Sequence, residues 1–306
     1  MNINVITVTY GERFAFLEKT LNAIISDKNV NKVIVVDNGS TNGAKIDEYI
    51  KNDQKKKIII IRNNKNEGSA GGFKKGIIEA RKNKSDYVLL LDDDNVMGDN
   101  WSEYFINILS QFSNKDDVVL KGNRNINSSN DLIKEENQNT LNQFIYMPRG
   151  ALSYGGTLLP FKAIVETEPP FEPFYLYDDD TEYLFRVSKK YKTYQLNRPL
   201  VNDIDHTLST SNEMKYLRSF DKNVSLVKLF FMTRNQYALP LITKSQNKFS
   251  LLFLGGLKIS AKIFYAFVKL GINKFTVERA SLMIRAFFDG VRLKFDNDEN
   301  IKRYTR

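Results

Sequence analysis

Apolar residues come in short unbroken runs through the first hundred positions. Val5-Ile6-Thr7-Val8-Thr9, Lys32 to Val36, Ile58-Ile59-Ile60-Ile61 and Tyr87-Val88-Leu89-Leu90-Leu91 lack turn residues and read as strands, the last buried on both faces. Between them the spacing changes. Phe14, Leu17, Leu21, Ile24 and Ile25 recur at helical intervals and predict a helix over Phe14 to Ile25. Asn42 to Asn52 reads as a short helix, and Gly71 to Arg81 as a helix after a glycine-rich approach. Strands alternating with helices imply an α/β fold with a mostly parallel sheet flanked by helices. Right-handed crossovers then place the strand ends Thr9, Asp37, Arg62 and Asp92 along one edge, where open α/β sheets bind ligands.

The pattern loosens further on. Residues 122–142 are rich in Asn and Ser and read equally as a surface loop, a lid or simple disorder. An apolar stretch (Thr157 to Val165), a Pro-rich turn (Pro169, Pro170, Pro173) and an acidic segment follow. After His206 two segments, Val224 to Ile242 and Phe249 to Leu270, are helical in period and dense in Phe, Leu and Tyr. Lys228, Lys258, Lys262 and Lys269 interrupt them. The expected organisation is an α/β domain over residues 1–210 and a basic helical region over 211–306. The uncharged stretch from Phe249 to Leu257 is too short to span a bilayer. The chain enters a strand at once, so a cleavable signal peptide is not expected.

Charge sharpens the division. Through residue 206 there are 27 Lys and Arg against 29 Asp and Glu, a balance of −2; residues 207–306 hold 18 against 7, or +11. The basicity of the last third points to a surface with an anionic partner. The absence of cysteine excludes disulfides and thiolate chemistry and fits a reducing compartment.

The residues able to do chemistry stand at the strand ends. Asp92-Asp93-Asp94 closes the fourth strand. In extended chain Asp92 and Asp94 point the same way and could converge on one Mg²⁺ or Mn²⁺, while a solvated acidic turn is the plain alternative. Asp37 could accept hydrogen bonds from a base or ribose, or build an Asx turn with Ser40. The stretch Asn66-Glu67-Gly68-Ser69-Ala70-Gly71-Gly72-Phe73 brings backbone toward a phosphate, or simply caps a helix. It lacks the GK[ST] of a P-loop. Asp178-Asp179-Asp180-Thr181-Glu182 sits among Phe171, Phe174, Tyr175, Tyr177 and Tyr183. This suits a carbohydrate cleft in which one carboxylate acts as general base, although such a run is usually a solvated face. His206 is the only histidine; a lone His is more often structural, yet a neutral imidazole makes a good third ligand to a carboxylate-bound metal.

Taken in order, these pieces resemble an inverting glycosyltransferase of family 2 with the GT-A fold. Within it they are most similar to the galactofuranosyltransferase and rhamnosyltransferase branch. Val8-Thr9-Tyr10-Gly11-Glu12-Arg13, Val35-Val36-Asp37-Asn38-Gly39-Ser40, the glycine stretch, Leu91-Asp92-Asp93-Asp94, Asp179-Asp180-Thr181-Glu182-Tyr183 with Arg186, His206, and Phe231-Met232-Thr233-Arg234-Asn235 carry the likeness over about residues 3–240. One departure is Asp178, where related galactofuranosyltransferases often carry Trp. The resemblance implies that Asp92, Asp94 and His206 hold Mn²⁺ or Mg²⁺ on the donor diphosphate. It implies that Thr9, Tyr10, Asp37, Asn66, Gly71, Gly72 and Asp93 line the nucleotide pocket. Asp180 would be the base, with Asp179 beside it for the acceptor.

The implied donor is a nucleotide sugar, UDP-galactofuranose first and dTDP-rhamnose second. The implied acceptor is a glycan or lipid-linked glycan, in the cytoplasm or at the inner face of the cell membrane. The basic, aromatic C-terminal region then reads equally as a surface for anionic membrane or as a helical subdomain packing on protein, including a second subunit. Two other classes compete. A sugar-nucleotide nucleotidyltransferase needs a basic Gly-rich run near the N-terminus, which residues 9–30 lack. A nucleic-acid-binding module needs a recognisable motif in the basic third, and none is present.

Overall fold

The computed structural model describes residues 1–125, 143–147, 152–205, 217–296, 300 and 304. Contacts divide the chain into two units, Met1–Pro170 with Tyr183–His206, and Phe171–Glu182 with Thr207–Arg306.

In the first unit the apolar runs form the expected alternation: β1 (Ile3–Thr9), α1 (Phe14–Ile25), β2 (Val30–Asn38), α2 (Gly43–Lys51), β3 (Ile58–Asn63), α3 (Gly68–Lys82) and β4 (Tyr87–Asp92). There follow β5 (Asn95–Met97), α4 (Trp101–Leu109), β6 (Val118–Asn125), β7 (Phe144–Tyr146), β8 (Thr157–Pro160), α5 (Phe161–Glu166), α6 (Asp179–Ser188, shared between the units) and β9 (Lys192–Asp203). The sheet order is β3-β2-β1-β4-β8-β6-β9-β5, with β7 on β9. The half built from β3, β2, β1 and β4 is parallel. The sheet as a whole is mixed, because β8 joins β4 and β6 antiparallel, and β5 and β7 join β9 antiparallel.

Each face of the sheet is covered by its own core. Leu17, Leu21 and Ile24 of α1, with Trp101, Phe105 and Ile108 of α4, pack on one face. Phe73, Ile77 and Ala80 of α3, with Tyr183, Leu184 and Val187 of α6, pack on the other. Buried on both sides, Ile34, Val35, Leu89 and Leu90 need no polar alternation, which is why these strands are continuous apolar runs.

Two expectations change here. The segment over 122–142 begins as strand through Asn125, and its remainder lies outside the described residues. The helix expected from Gly71 begins three residues earlier, so Gly68, Ser69 and Ala70 join Gly71 and Gly72 inside α3. A Cβ on Gly72 would meet Val8 Cγ1 at 2.5 Å, and one on Gly76 would meet Ile6 Cγ2 at 2.4 Å. The glycines let α3 lie close on β1.

Among its described residues the second unit has three long helices, α7 (Leu226–Ile242), α8 (Lys248–Leu270) and α9 (Lys274–Val291). They enclose a core that includes Leu229, Phe230, Phe231, Ile259, Ile263, Met283 and Phe287. Gly290 allows a close crossing, since a Cβ there would lie 2.3 Å from the Arg234 carbonyl oxygen. The expectation of a short apolar stretch ending at Leu257 is corrected. One turn of π-helix, Leu251–Gly255, joins the segments into a helix of 23 residues whose most apolar 18-residue window has a mean hydropathy of 1.6, long and apolar enough by length and composition to cross a membrane.

Candidate active site

Strand register assembles the first part of the site. Thr9 pairs with Asp37, Asp37 with Arg62, and Val8 with Asp92, so the predicted strand ends share one edge. Asp37 is buried and divided between two partners: Oδ1 accepts from the Ser40 amide at 2.9 Å, and Oδ2 from Arg62 Nη1 at 2.8 Å. The Asx turn and the poised carboxylate are thus the same residue. Asn38 ties this turn to the start of α3, donating to Asn66 Oδ1 (3.1 Å) and the Gly68 carbonyl (2.8 Å) and accepting from Asn63 and the Glu67 amide. Gly39, at φ +70°, has no room for a side chain, because a Cβ would lie 2.7 Å from the Lys65 carbonyl carbon. Asn66 is held beside Asn38 by these contacts. Gly71 and Gly72 lie inside α3 and are buried there.

At the end of β4 the chain turns at Asp93-Asp94 instead of continuing extended, and the three acids part company. Asp93 is buried, accepting from Thr9 Oγ1 (2.8 Å) and Arg13 Nε (2.9 Å), while its own carbonyl accepts from Thr20. Asp94 pairs with Arg13 Nη2 at 2.6 Å, and Asp205 with Arg13 Nη1 at 2.6 Å. Asp92 pairs with Arg124 Nη2 at 3.2 Å, and Asp203 with Arg124 Nη1 at 3.6 Å. Gly155 makes room for this second guanidinium, since a Cβ there would lie 2.4 Å from Arg124 Nη2. The Arg13 guanidinium also lies 5.3 Å from the centre of the Tyr10 ring and 4.8 Å from that of Phe16.

Five carboxylates against two guanidiniums leave an excess of negative charge. Its mark is on Asp94, whose carboxyl burial and the charges of Asp92 and Asp93 push up to about 7, with Arg13 opposing. Burial raises Asp93 as well, again against Arg13. Burial weakens the Arg13 guanidinium, yet its bonds to Asp93 and Asp205 raise it above its ordinary value. Hard oxygen donors carrying surplus charge suit a divalent cation such as Mg²⁺ or Mn²⁺. Asp92 and Asp94 offer two such carboxylates. Among the described residues no three of Asp, Glu, His and Cys form a ready-made cage, and His206 lies outside the described residues.

The second acid segment, in the second unit, is built differently. Tyr175, Tyr177 and Asp178 all have left-handed backbones, at φ +61°, +68° and +59°. Such conformations cost non-glycine residues about 1–3 kcal/mol each and persist only when surroundings fix them. A buried Arg-Asn pair does so. Asn235 Nδ2 donates to the carbonyls of Phe174 (2.8 Å), Leu176 (2.9 Å) and Tyr177 (2.8 Å). Arg234 Nη2 donates to Pro173 (2.6 Å) and Phe174 (3.2 Å), and its Nε to Asn235 Oδ1 (2.9 Å). Burial lowers Arg234 to about 9, partly offset by Asp289 and Asp296, so it stays charged at neutral pH. Burial, with the charge of Asp180 beside it, pushes Asp178 up to about 6. Asp179 is buried, and Asp179, Asp180 and Glu182 occupy the first turn of α6, where the helix dipole favours acids. Asp180 Oδ1 accepts from the Thr181 amide at 2.7 Å. Arg186 donates to the carbonyls of Glu168 and Pro169 and so serves the turn before the acids.

Arg13 and Arg124 are residues to which the sequence assigned no role. Arg13 follows the first strand by four residues and reads there only as part of its turn. Arg124 falls in a stretch read as loop. Neither is near its acids in sequence, so no local pattern announces the pairing.

The sequence profile of glycosyl transferase family 2 matches residues 4–161. No curated protein sequence matches the chain. Among solved structures the chain is similar to S. aureus TarS 1-349 in complex with UDP-GlcNAc, at 16% identity over 95% of this chain and 82% of that one, with a TM-score of 0.58. For TarS 1-349 in complex with UDP the values are 14%, 99% and 92%, with a TM-score of 0.53. Another structure of S. aureus TarS is matched at 14% identity over 77% of this chain, with a TM-score of 0.52, and this chain spans 40% of its length. At such identities the likeness is one of fold, and the fold is the GT-A arrangement expected from the sequence. The family match covers just over half of the residues, and the chain belongs to glycosyl transferase family 2.

Proposed function

We propose that this protein is an inverting, metal-dependent glycosyltransferase that moves a hexose, galactofuranose by first choice, from UDP to the hydroxyl of a glycan or lipid-linked glycan. The observation that carries this reading is the shared edge where Thr9, Asp37, Arg62 and Asp92 end four parallel strands, inside the region matched by the family. The TarS complexes with UDP-GlcNAc and UDP support a uridine nucleotide as the carrier. The resemblance of the glycine stretch to the galactofuranosyltransferase branch favours galactofuranose, with rhamnose from dTDP-rhamnose as the alternative.

In this mechanism Asp37 and Asn66 receive the nucleoside, with Arg62 and Asn38 fixing their positions. Asp92 and Asp94 would hold Mn²⁺ or Mg²⁺, which when bound neutralises charge on the departing diphosphate. The Asp180 carboxylate takes the proton of the acceptor hydroxyl. That oxygen bonds to the anomeric carbon as the carbon–oxygen bond to the nucleoside diphosphate breaks, and the configuration inverts. Asp179 orients the acceptor.

The test is a panel of nucleotide sugars with Mn²⁺ or Mg²⁺, reading release of nucleoside diphosphate. Metal-dependent turnover of a UDP-sugar is expected, and the Asp180→Asn variant should turn over about 10²–10⁴-fold more slowly with nucleotide binding preserved. Turnover of dTDP-rhamnose alone would favour the alternative, and no turnover of any donor would overturn the reading.

A further inference from the structure

The helix α8 carries apolar residues on two faces, but only one face has a partner. Leu251, Ile259, Ile263 and Ala266 point into the core shared with α7 and α9. On the other side Phe253 is 63% exposed, Phe264 70% and Val268 65%, and Leu257 lies between them. Phe249 at one end of the helix and Ile272 just past the other are more exposed still, at 82% and 76%. An uncovered apolar face of this extent marks an interaction surface.

Charge identifies what covers it. At 100° per residue, the exposed Lys258 and Lys269 fall in one stripe along a flank of the apolar face, with the half-buried Lys262 beneath them. Between Asp221 and Glu278 the sequence contains no acid, while nine Lys and Arg lie in the same interval. A second copy docking through this face would bring lysines to lysines with no carboxylate in either helix to receive them. A basic stripe beside a band of Phe, Leu and Val is the chemistry of a helix lying in the headgroup region of an anionic bilayer, its rings among the acyl chains and its ammonium groups reaching the phosphates.

We infer that α8 docks this protein in the plane of an anionic lipid surface through Phe253, Leu257, Phe264 and Val268, with Lys258 and Lys269 reaching the headgroups. The helix is long enough to span, but Lys258 and Lys262 sit near its middle and its inner face is already packed against protein. The inference does not depend on the sugar-transfer reading, because membrane binding is measured without donor or acceptor.

The experiment is co-sedimentation of the whole protein with vesicles of phosphatidylcholine alone or with phosphatidylglycerol, at low and high salt. Binding to the phosphatidylglycerol vesicles is expected, weakened by salt and by omission of the anionic lipid. The pair Phe264→Glu/Val268→Glu changes exposed residues, so thermal melts should match the parent, and binding should fall about tenfold or more. The pair Lys258→Glu/Lys269→Glu should lose the preference for anionic lipid to a similar degree. Because the chain has no cysteine, a Phe264→Cys variant can carry an environment-sensitive dye, whose emission should shift to the blue only with vesicles. Absence of vesicle binding at either salt overturns the inference. So does a stable dimer that Phe264→Glu/Val268→Glu dissociates, or binding that only detergent reverses.

Discussion

Asn235 donates its side-chain amide to the Tyr177 carbonyl at 2.8 Å, from 58 residues further along the chain. The bond spans the stretch in which three non-glycine residues are left-handed, and the same amide also serves Phe174 and Leu176. Buried carbonyls left without donors cost about 1–3 kcal/mol each. Asn235→Ala should therefore release Tyr175 to Asp178 into relaxed backbone and, with Phe174 still served by Arg234, destabilise the second unit by about 2–6 kcal/mol over Leu176 and Tyr177. Under the proposed mechanism kcat falls while UDP affinity, measured by titration, stays within about twofold of the parent. Equal losses in both would assign Asn235 to general folding alone.

Asp178 gives a pH signature. Its folded value, about 6, lies above its unfolded one, so the native state binds the proton more tightly. That contribution is complete below the unfolded value near 4 and is lost as pH rises through 6. Asn carries no charge and accepts a left-handed backbone. In urea melts Asp178→Asn should match the parent near pH 4 and exceed it by about 2 kcal/mol at pH 7, the gap opening between. A gap of constant size across that range would reject ionisation as the cause.

Arg13 neutralises Asp93, Asp94 and Asp205 together. Removing one partner of a buried pair leaves charge uncompensated, so Arg13→Ala should cost about 3–5 kcal/mol. Lysine, with a single point of charge, should recover only part of it. If Asp94 also receives the cation, Mn²⁺ should raise the melting temperature of Arg13→Ala more than that of the parent. Equal shifts would place cation binding away from Asp94.

Gly72 separates packing from ligand binding. A methyl group there collides with Val8, so Gly72→Ala should destabilise by about 1–3 kcal/mol. Adding Val8→Ala should return part of that stability. Failure of the second change to help would point to a role for Gly72 beyond its fit against β1.

The parallel half of the sheet was plain in the sequence because Val33 to Val36 and Val88 to Leu91 are buried on both faces and must be apolar throughout. Their ends were plain because Asp37 and Asp92 are where the apolar runs stop. What local pattern could not reveal was who neutralises whom. Arg13 meets Asp205 across 192 positions, and nothing near either residue predicts the pair. The start of α3 was less plain, because a loop and a close-packed helix ask for the same glycines. The unity of α8 was hidden by Lys258 and Lys262, which divide its apolar residues in sequence but lie along one flank in the fold.

The clasp on the strained acid segment sets an order of assembly. During synthesis the chain emerges from its N-terminus, and the sheet can close once β9 is out. Phe174, Leu176 and Tyr177 still lack the amide that bonds their carbonyls until Asn235 follows them. A fragment ending near residue 205 would carry every strand of the sheet and the acids of α6, yet their approach would be unclasped. Under the proposed mechanism, competence for transfer arrives with the last helices rather than with the family-defining sheet.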